Sequence, residues 1–184
     1  MKSIPTTPTT LPGVVLFKPP RLIDDRGTFC PIYAQRFHVA EGYDHNWAEM
    51  NLSHTEAGCV RGLHFQHQNS QAKLITVVKG TIFDLVVDLR PESTTFGQWE
   101  SFTLSADDPD YPSQVYIPEG LAHGLATPYG PASLVYMVSR PWDPDNEYVL
   151  HWNDPSLSIP WPVTNPKLSE RDQKGSSLEM LKQT

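Results

Sequence analysis

The chain of 184 residues carries 14 Lys and Arg against 21 Asp and Glu, so its formal net charge is −7. Because no basic cluster offsets that charge, the composition argues against binding to nucleic acid or to an anionic membrane surface. The 18 prolines are nearly twice the usual ~5%, which excludes a helical bundle and favours a loop-rich β protein. The N-terminal residues lack a signal-peptide apolar segment, and Cys30 and Cys59 are too few for a disulfide framework, so we expect a cytoplasmic protein with reduced thiols.

Short segments of alternating or β-branched residues predict a series of strands separated by turns. The strongest signal is a hairpin, in which the strands 74–78 and 81–89 are joined by a turn at Lys79-Gly80. The pattern also predicts strands over 14–17, 28–33, 59–66, 98–104, 114–117 and 133–139, and short helices over 34–39 and 176–183.

The second strand of the predicted hairpin has a polar side. Asp84 and Asp88 alternate with Ile82 and Val86 on one face, while the other face is apolar. A strand with Asp at alternate positions faces something polar on that side, which is either solvent or a functional site.

Many short strands separated by turns predict a sandwich or a barrel. Within residues 117–123, the spacing of Pro118, Gly120 and His123 is typical of the second half of a double-stranded β-helix, the cupin or jelly-roll fold. We expect an all-β chain with short flanking helices, forming a single domain over 1–184. Its N-terminal arm is expected over 1–13 and its C-terminal tail over 165–184.

The seven histidines are candidates for a general base or for metal ligands. His64 and His67 would point to opposite faces of one strand, which is poor geometry for sharing a metal ion. Gln66 also stands where a metal-binding cupin carries the second histidine of a His-x-His pair. We therefore expect no metal site.

Several segments, taken in chain order, carry a more specific pattern; they are 51–53, 60–66, 71–74, 83–90, 95–99, 117–124, 152–155 and 168–172. Together they resemble the dTDP-4-dehydrorhamnose 3,5-epimerase family, and the resemblance runs from about residue 17 to residue 172. It implies removal and return of protons at carbons flanking the 4-keto group of a nucleotide-linked 6-deoxy-4-ketohexose, without any cofactor.

The resemblance implies four catalytic residues. His64 matches the family's base, and Asp172 matches the carboxylate that orients this imidazole. Lys73 matches the cation that stabilises the enolate oxygen, and Tyr136 matches the acid that delivers a proton to the opposite face. The substrate-binding positions that it implies are Arg26, Phe29, Glu49, Asn51, Arg61, His123, Trp142, Glu147 and Arg171. The expected partners are a nucleotide-diphosphate 4-keto-6-deoxy sugar and a second copy of the chain, with no nucleic acid and no membrane.

Arg61 and His64 pose a geometric problem. Strict alternation sends their side chains to opposite faces of the strand. Either Gly62 marks a bulge, or the two residues serve different parts of the ligand.

Three positions depart from the family's pattern. Trp142 stands where the family has a second tyrosine, and because indole has no acidic hydroxyl, a single epimerisation at C3 becomes an option beside epimerisation at C3 and C5. Pro31 stands in place of a glutamate, and Glu49 in place of a glutamine. A carboxylate only accepts hydrogen bonds and suits the exocyclic amine of cytosine, so the base of the substrate is either thymine or cytosine. The alternative is that Glu49 faces solvent.

The sequence therefore predicts an isomerase of deoxysugar and surface-polysaccharide biosynthesis. A second hypothesis, based on Trp142, is a catalytically weakened sugar-nucleotide binding protein with the same fold. A third is a metal-dependent cupin.

Overall fold

The computed structural model describes residues 4–38, 43 and 45–182. Its first strands are β1 (Thr6–Pro8), β2 (Val15–Phe17), β3 (Leu22–Asp24), β4 (Gly27–Phe29), β5 (Glu49–Thr55), β6 (Val60–Gln66) and β7 (Lys73–Lys79). They are followed by β8 (Thr81–Asp88), β9 (Trp99–Ser105), β10 (Gln114–Ile117), β11 (Leu121–Ala126), β12 (Ala132–Val138) and β13 (Glu147–Val149). The described helices are α1 (Gln35–His38), α2 (Glu170–Gln173) and α3 (Leu178–Leu181). None of these helices is long and apolar enough to span a bilayer.

Two antiparallel sheets face each other. The six-stranded sheet has the order β1-β2-β10-β7-β12-β5, and the five-stranded sheet has the order β13-β6-β11-β8-β9. Strands β3 and β4 form a separate hairpin. The predicted all-β jelly roll is confirmed, and the N-terminal segment pairs through β1 with β2 of its own sheet.

Alternation along the strands builds an inner core between the sheets and two outer layers. The inner core includes Ile75 and Val77 of β7 and Ile82 and Val86 of β8. The outer face of the five-stranded sheet is covered by residues that follow β13, among them Leu157 and Ile159, and by Leu178 of the C-terminal tail. The outer face of the six-stranded sheet is covered by an aromatic cluster that includes Tyr33, Tyr43 and Trp47.

The predicted hairpin does not form: strands β7 and β8 lie where expected, but they belong to different sheets and do not pair, so the turn at Lys79-Gly80 connects the two sheets.

The predicted secondary structure needs several further corrections. The strand predicted over 28–33 ends at Phe29, because residues 30–34 leave the hairpin at Pro31. His123 lies on β11. Strands β1, β3, β5, β11 and β13 and helix α2 were not predicted. The two predicted helices are shorter than expected, and residues 39 and 183 at their predicted ends lie outside the described residues.

The polar side of β8 faces the interior, so the solvent alternative is wrong. Asp84 and Asp88 are both fully buried. Asp88 accepts hydrogen bonds from Arg90, Ser93 and Thr95, which keep its pKa below the usual value although burial acts to raise it. Asp84 bonds to His123.

A bulge at Gly62 resolves the problem of Arg61 and His64. On β11, His123 pairs with His64 and Leu125 pairs with Arg61, so β6 holds one extra residue between these two pairs. Gly62 has a φ of +112°, and a Cβ there would lie 2.6 Å from the Cα of Gly124. The extra residue returns both side chains to the same inner face, as the bulge alternative predicted.

We predict that Gly62→Ala lowers the free energy of unfolding by about 3 kcal/mol more than Gly58→Ala does. Both glycines have positive φ, but a Cβ at Gly58 meets no atom within 4 Å, so the difference isolates the clash with β11. Urea unfolding followed by tryptophan fluorescence measures both values. Equal losses in the two variants would show that β6 and β11 do not approach this closely.

Candidate active site

The inner faces of both sheets change from aliphatic to polar towards one end of the sandwich. On β7 the inward row runs from Val77 and Ile75 to Lys73, and on β12 it runs from Leu134 to Tyr136. There the sheets enclose an interior pocket of about 390 Å³. The predicted site residues that line it are Glu49, Asn51, Arg61, His64, Lys73, His123, Tyr136, Trp142, Glu147 and Arg171.

The imidazole of His64 is held by Asp172. The ring Nε2 lies 2.7 Å from Asp172 Oδ1, and the carboxylate is almost fully buried behind it. Burial alone would raise the pKa of Asp172, but the hydrogen bond and the charge of His64 bring it below its usual value. Because Nε2 donates to the carboxylate, Nδ1 carries the lone pair, and His64 is oriented to act as a base.

Helix α2 carries Asp172 to this position. The hydroxyl oxygen of Ser169 caps the helix by accepting from the backbone N–H of Asp172, at 3.1 Å. A bridge between Cys59 and Lys167 attaches the segment before the helix to the start of β6. The tail is therefore fixed beside the strand that carries His64.

Lys73 and Tyr136 lie on the six-stranded sheet, opposite His64. The Lys73 ammonium donates to the carbonyl oxygen of His64 at 3.2 Å. Burial lowers the pKa of Lys73 to about 8, against the opposing effect of the Glu147 and Asp84 carboxylates. At neutral pH a cation therefore lies inside the pocket, where it can stabilise a developing oxyanion.

The Tyr136 hydroxyl is kept protonated at neutral pH. Burial raises its pKa, and the carboxylates of Glu147 and Glu49 raise it further, while Arg61 acts in the opposite direction. A neutral phenol can donate a proton, so Tyr136 can act as an acid on the side of the pocket opposite His64.

A network around Glu147 forms the rim of the pocket. Its Oε2 accepts from the indole Nε1 of Trp142 and from the Arg171 guanidinium, each at 2.6 Å. The backbone N–H of Trp142 donates to Glu49 Oε1 at 3.0 Å. Glu49 lines the pocket and is engaged by its own chain, so it does not simply face solvent.

Arg61 is also tied to its own chain. Its Nε donates to the hydroxyl of Thr55 at 2.9 Å, and its guanidinium donates to the carbonyl of His54. The side chain is exposed and lines the pocket, so its charge remains available to an anionic ligand.

Two predicted residues, Arg26 and Phe29, do not reach the pocket within one chain. Arg26 lies in the turn of the β3–β4 hairpin and pairs with Asp24 at 2.6 Å. Phe29 is 67% exposed, and Leu22 and Ile23 of the same hairpin are exposed as well.

Sequence reasoning missed three side chains at the site. Ser53 and Gln71 line the pocket, and Asp84 bonds to His123 behind it. Asp84 had a signal, because it alternates with Ile82 and Val86 on an otherwise apolar face. Ser53 and Gln71 belong to segments 51–53 and 71–74, which carry the family resemblance, but no role was assigned to either side chain.

The described residues contain no group of three or more His, Cys, Asp or Glu side chains placed to hold a metal ion. What the pocket does contain is a base with its carboxylate on one sheet, and an acid with a buried cation on the other. Such an arrangement can remove a proton beside a carbonyl group and return one to the opposite face.

Comparisons with known proteins agree with this chemistry. Residues 8–180 match the family model described as dTDP-4-dehydrorhamnose 3,5-epimerase. A dTDP-4-dehydrorhamnose 3,5-epimerase of Neisseria gonorrhoeae is 41% identical over 92% of this chain. The match covers 51% of the length of that longer relative. A dTDP-4-dehydrorhamnose 3-epimerase of Streptomyces niveus is 42% identical over 90% of this chain and 80% of its own length.

A solved structure extends the similarity to three dimensions. The crystal structure of dTDP-4-dehydrorhamnose 3,5-epimerase from Bacillus anthracis, with TDP and PPi bound, superposes with a TM-score of 0.89 at 38% identity. The match covers 95% of this chain and 99% of that one. With the fold, the pocket and the family model in agreement, this chain belongs to the dTDP-4-dehydrorhamnose 3,5-epimerase family.

Proposed function

We propose that the chain is a cofactor-independent epimerase that inverts C3 of a dTDP-linked 4-keto-6-deoxyhexose. The observation that carries the proposal is the placement of His64, held by Asp172 of α2, on one sheet and of Tyr136 and Lys73 on the facing sheet. Inversion needs a proton to leave one face of the sugar and another to arrive at the opposite face, and a ring held between the sheets meets both requirements.

The reaction then runs in two steps. His64 takes the proton from C3, and the electrons of the C–H bond move to the ketone oxygen, where the Lys73 ammonium stabilises the enolate. Asp172 stabilises the imidazolium that forms. Tyr136 next delivers its hydroxyl proton to C3 from the other face, the carbonyl re-forms, and exchange with water resets the imidazolium and the phenolate.

The rim supports a dTDP-linked substrate. The related Bacillus anthracis structure holds TDP. Glu49, the residue that raised cytosine as an alternative, already accepts the backbone N–H of Trp142 through Oε1, so its carboxylate has a role that needs no base. Arg61 and Arg171 supply guanidinium groups for the diphosphate.

Trp142 supports inversion at C3 alone. Its indole N–H is engaged by Glu147, and the ring is 57% exposed at the rim rather than enclosed with the catalytic groups. No second phenol therefore replaces the family's tyrosine there. The related Streptomyces niveus protein, at 42% identity, is named a 3-epimerase.

We further propose a homodimer in which the β3–β4 hairpin completes the pocket of the partner. Phe29 and Ile23 are more than two-thirds exposed, an unfavourable arrangement for apolar side chains of a hairpin without neighbours. Arg26, which the family resemblance assigns to the ligand, lies at the tip of this hairpin. In each copy, we expect one domain formed by the sandwich, its N-terminal arm over 1–13 and its tail over 165–184.

Replacing His64 or Asp172 tests the reaction. We expect His64→Asn to lower turnover at least 10³-fold and Asp172→Asn about 10²- to 10⁴-fold, because the first removes the base and the second its orienting carboxylate. NMR of a dTDP-4-keto-6-deoxyhexose in deuterated water measures label at C3 and C5. His67→Asn, the same change at a residue outside the pocket lining, is the matched control and should keep full activity.

The same experiment separates the hypotheses. Label at C3 alone supports the proposal, and rapid label at both carbons would mean that Trp142 does not restrict the enzyme to C3. No label with the unmodified protein would favour a sugar-nucleotide binding protein.

Calorimetry with free nucleotides tests the base. We expect dTDP to bind at least tenfold more tightly than CDP, because Glu49 is occupied by the backbone of Trp142. Glu49→Gln should then change the ratio of the two dissociation constants little. Tighter binding of CDP, reversed by Glu49→Gln, would instead assign the carboxylate to cytosine.

Mixing two inactive variants tests the shared pocket. His64→Asn lacks the base, and the double variant Arg26→Ala, Phe29→Ala lacks the hairpin contacts. If the hairpin acts on the partner's pocket, a mixed dimer has one site in which both the base and the hairpin are intact. After exchange of subunits, each mixed dimer should therefore have up to half of the activity of a native dimer. Activity that stays at the level of the separate variants would place the hairpin's action within its own chain or outside the reaction.

A further inference from the structure

A second pair of imidazole and carboxylate lies beside the first. His123 Nε2 donates to Asp84 Oδ2 at 2.8 Å, and the Asp84 side chain is fully buried. In the pairing of β6 with β11, His123 lies directly opposite His64. The proposed reaction uses His64 and Asp172 and leaves Asp84 without a role.

The other oxygen of Asp84 is unusual. Oδ1 is buried and has no hydrogen-bond partner among the described residues. A buried carboxylate with an unsatisfied oxygen is costly unless a nearby positive charge compensates it. A merely structural aspartate would be expected to satisfy both oxygens, as Asp88 does four residues later on the same strand.

The compensating charge is on the facing sheet. Asp84 shares its face of β8 with Ile82 and Val86, and Lys73 shares its face of β7 with Ile75, all of them directed into the inner core. Burial lowers the pKa of the Lys73 ammonium, and the negative charges of Glu147 and Asp84 raise it.

We propose that Asp84 is a positioning residue, which holds the His123 ring through Nε2 and supplies the negative charge that balances the Lys73 ammonium. This inference rests on the proposed function, in which Lys73 stabilises the enolate. With Nε2 bound to Asp84, Nδ1 of His123 is the nitrogen left to meet the sugar. Asp84 itself lies behind His123 and does not touch the substrate.

Other charges also act on the pocket. Besides Lys73, the titratable and charged groups that line it are Glu49 on β5, Arg61 and His64 on β6, His123 on β11, Tyr136 on β12, Glu147 on β13 and Arg171 on α2. Asp172 lies behind His64, as Asp84 lies behind His123. Of the carboxylates, Glu147 is shared with Trp142 and Arg171, and Asp172 with His64. Asp84 is thus the carboxylate placed to serve Lys73 and His123 together.

The consequence is a specific change in pH dependence. Activity requires the ammonium form of Lys73, which is lost as the pH rises through a pKa of about 8. In Asp84→Asn the ammonium loses one of its two supporting carboxylates, so its pKa falls. The alkaline limb of the turnover profile should therefore move to lower pH by about one unit or more.

The experiment compares turnover from pH 6 to 10 in the native protein and three variants. Asp84→Asn should shift the alkaline limb, and Asp84→Glu, which keeps the charge, should restore it at least in part. Asp88→Asn is the matched control, because it removes an equally buried carboxylate from the same face of β8 but one that bonds to Arg90, Ser93 and Thr95. It should lower the melting temperature and leave the limb in place.

A measurement on the unmodified protein makes the test independent of how the variants fold. We expect ¹⁵N NMR of neutral His123 to show the proton on Nε2. A proton on Nδ1, or an Asp84→Asn variant that loses turnover equally at every pH, would overturn the proposal. Absence of deuterium exchange in the native protein would contradict the epimerase function. The tautomer of His123 would still test, independently of activity, whether its Nε2 donates to Asp84.

Discussion

Successive side chains of a β-strand point to opposite faces of the sheet, and this repeat of two determines where the site of this protein lies. On β7 one row of inward side chains contains Val77, Ile75 and Lys73, and on β12 the same row contains Leu134 and Tyr136. Most of these positions fill the core, and the few polar ones enclose a pocket. The polar groups are tolerated there because the carboxylates of Asp172 and Asp84 bond to imidazoles.

The same repeat explains which strands could be predicted from the sequence. Strands β7 and β8 have aliphatic inward positions, and both were predicted with nearly correct bounds. Their pairing as a hairpin was wrong, because the pattern shows where each strand lies but not which strand it pairs with, and the two belong to different sheets. Strand β5 has the reverse pattern, since the inward Glu49 and Asn51 face the pocket while the outward Met50 and Leu52 are exposed. A strand that lines a polar cavity lacks the usual apolar inner face, so the alternation of apolar and polar residues does not predict the strand.

The residues to which we assign catalytic roles were predicted through a family resemblance, but their arrangement required the structure. Alternation alone sends Arg61 and His64 to opposite faces, and only the bulge at Gly62 shows that they share one. The rim network of Trp142, Glu147 and Arg171 joins separate loops and strands through side-chain contacts, which no local pattern encodes. The exposure of the apolar residues Leu22, Ile23 and Phe29 on the β3–β4 hairpin also became visible only in the structure.

The bond between His64 and Asp172 joins residues 108 positions apart. A ribosome that has completed β13 has already produced almost the whole lining of the pocket, yet the base still lacks its carboxylate. The contact between the two side chains therefore forms only after α2 has been synthesised and has docked beside β6. A chain cleaved by a protease just before residue 172 would keep His64 but lose the carboxylate that holds its imidazole, together with Leu178, which covers the outer face of the five-stranded sheet.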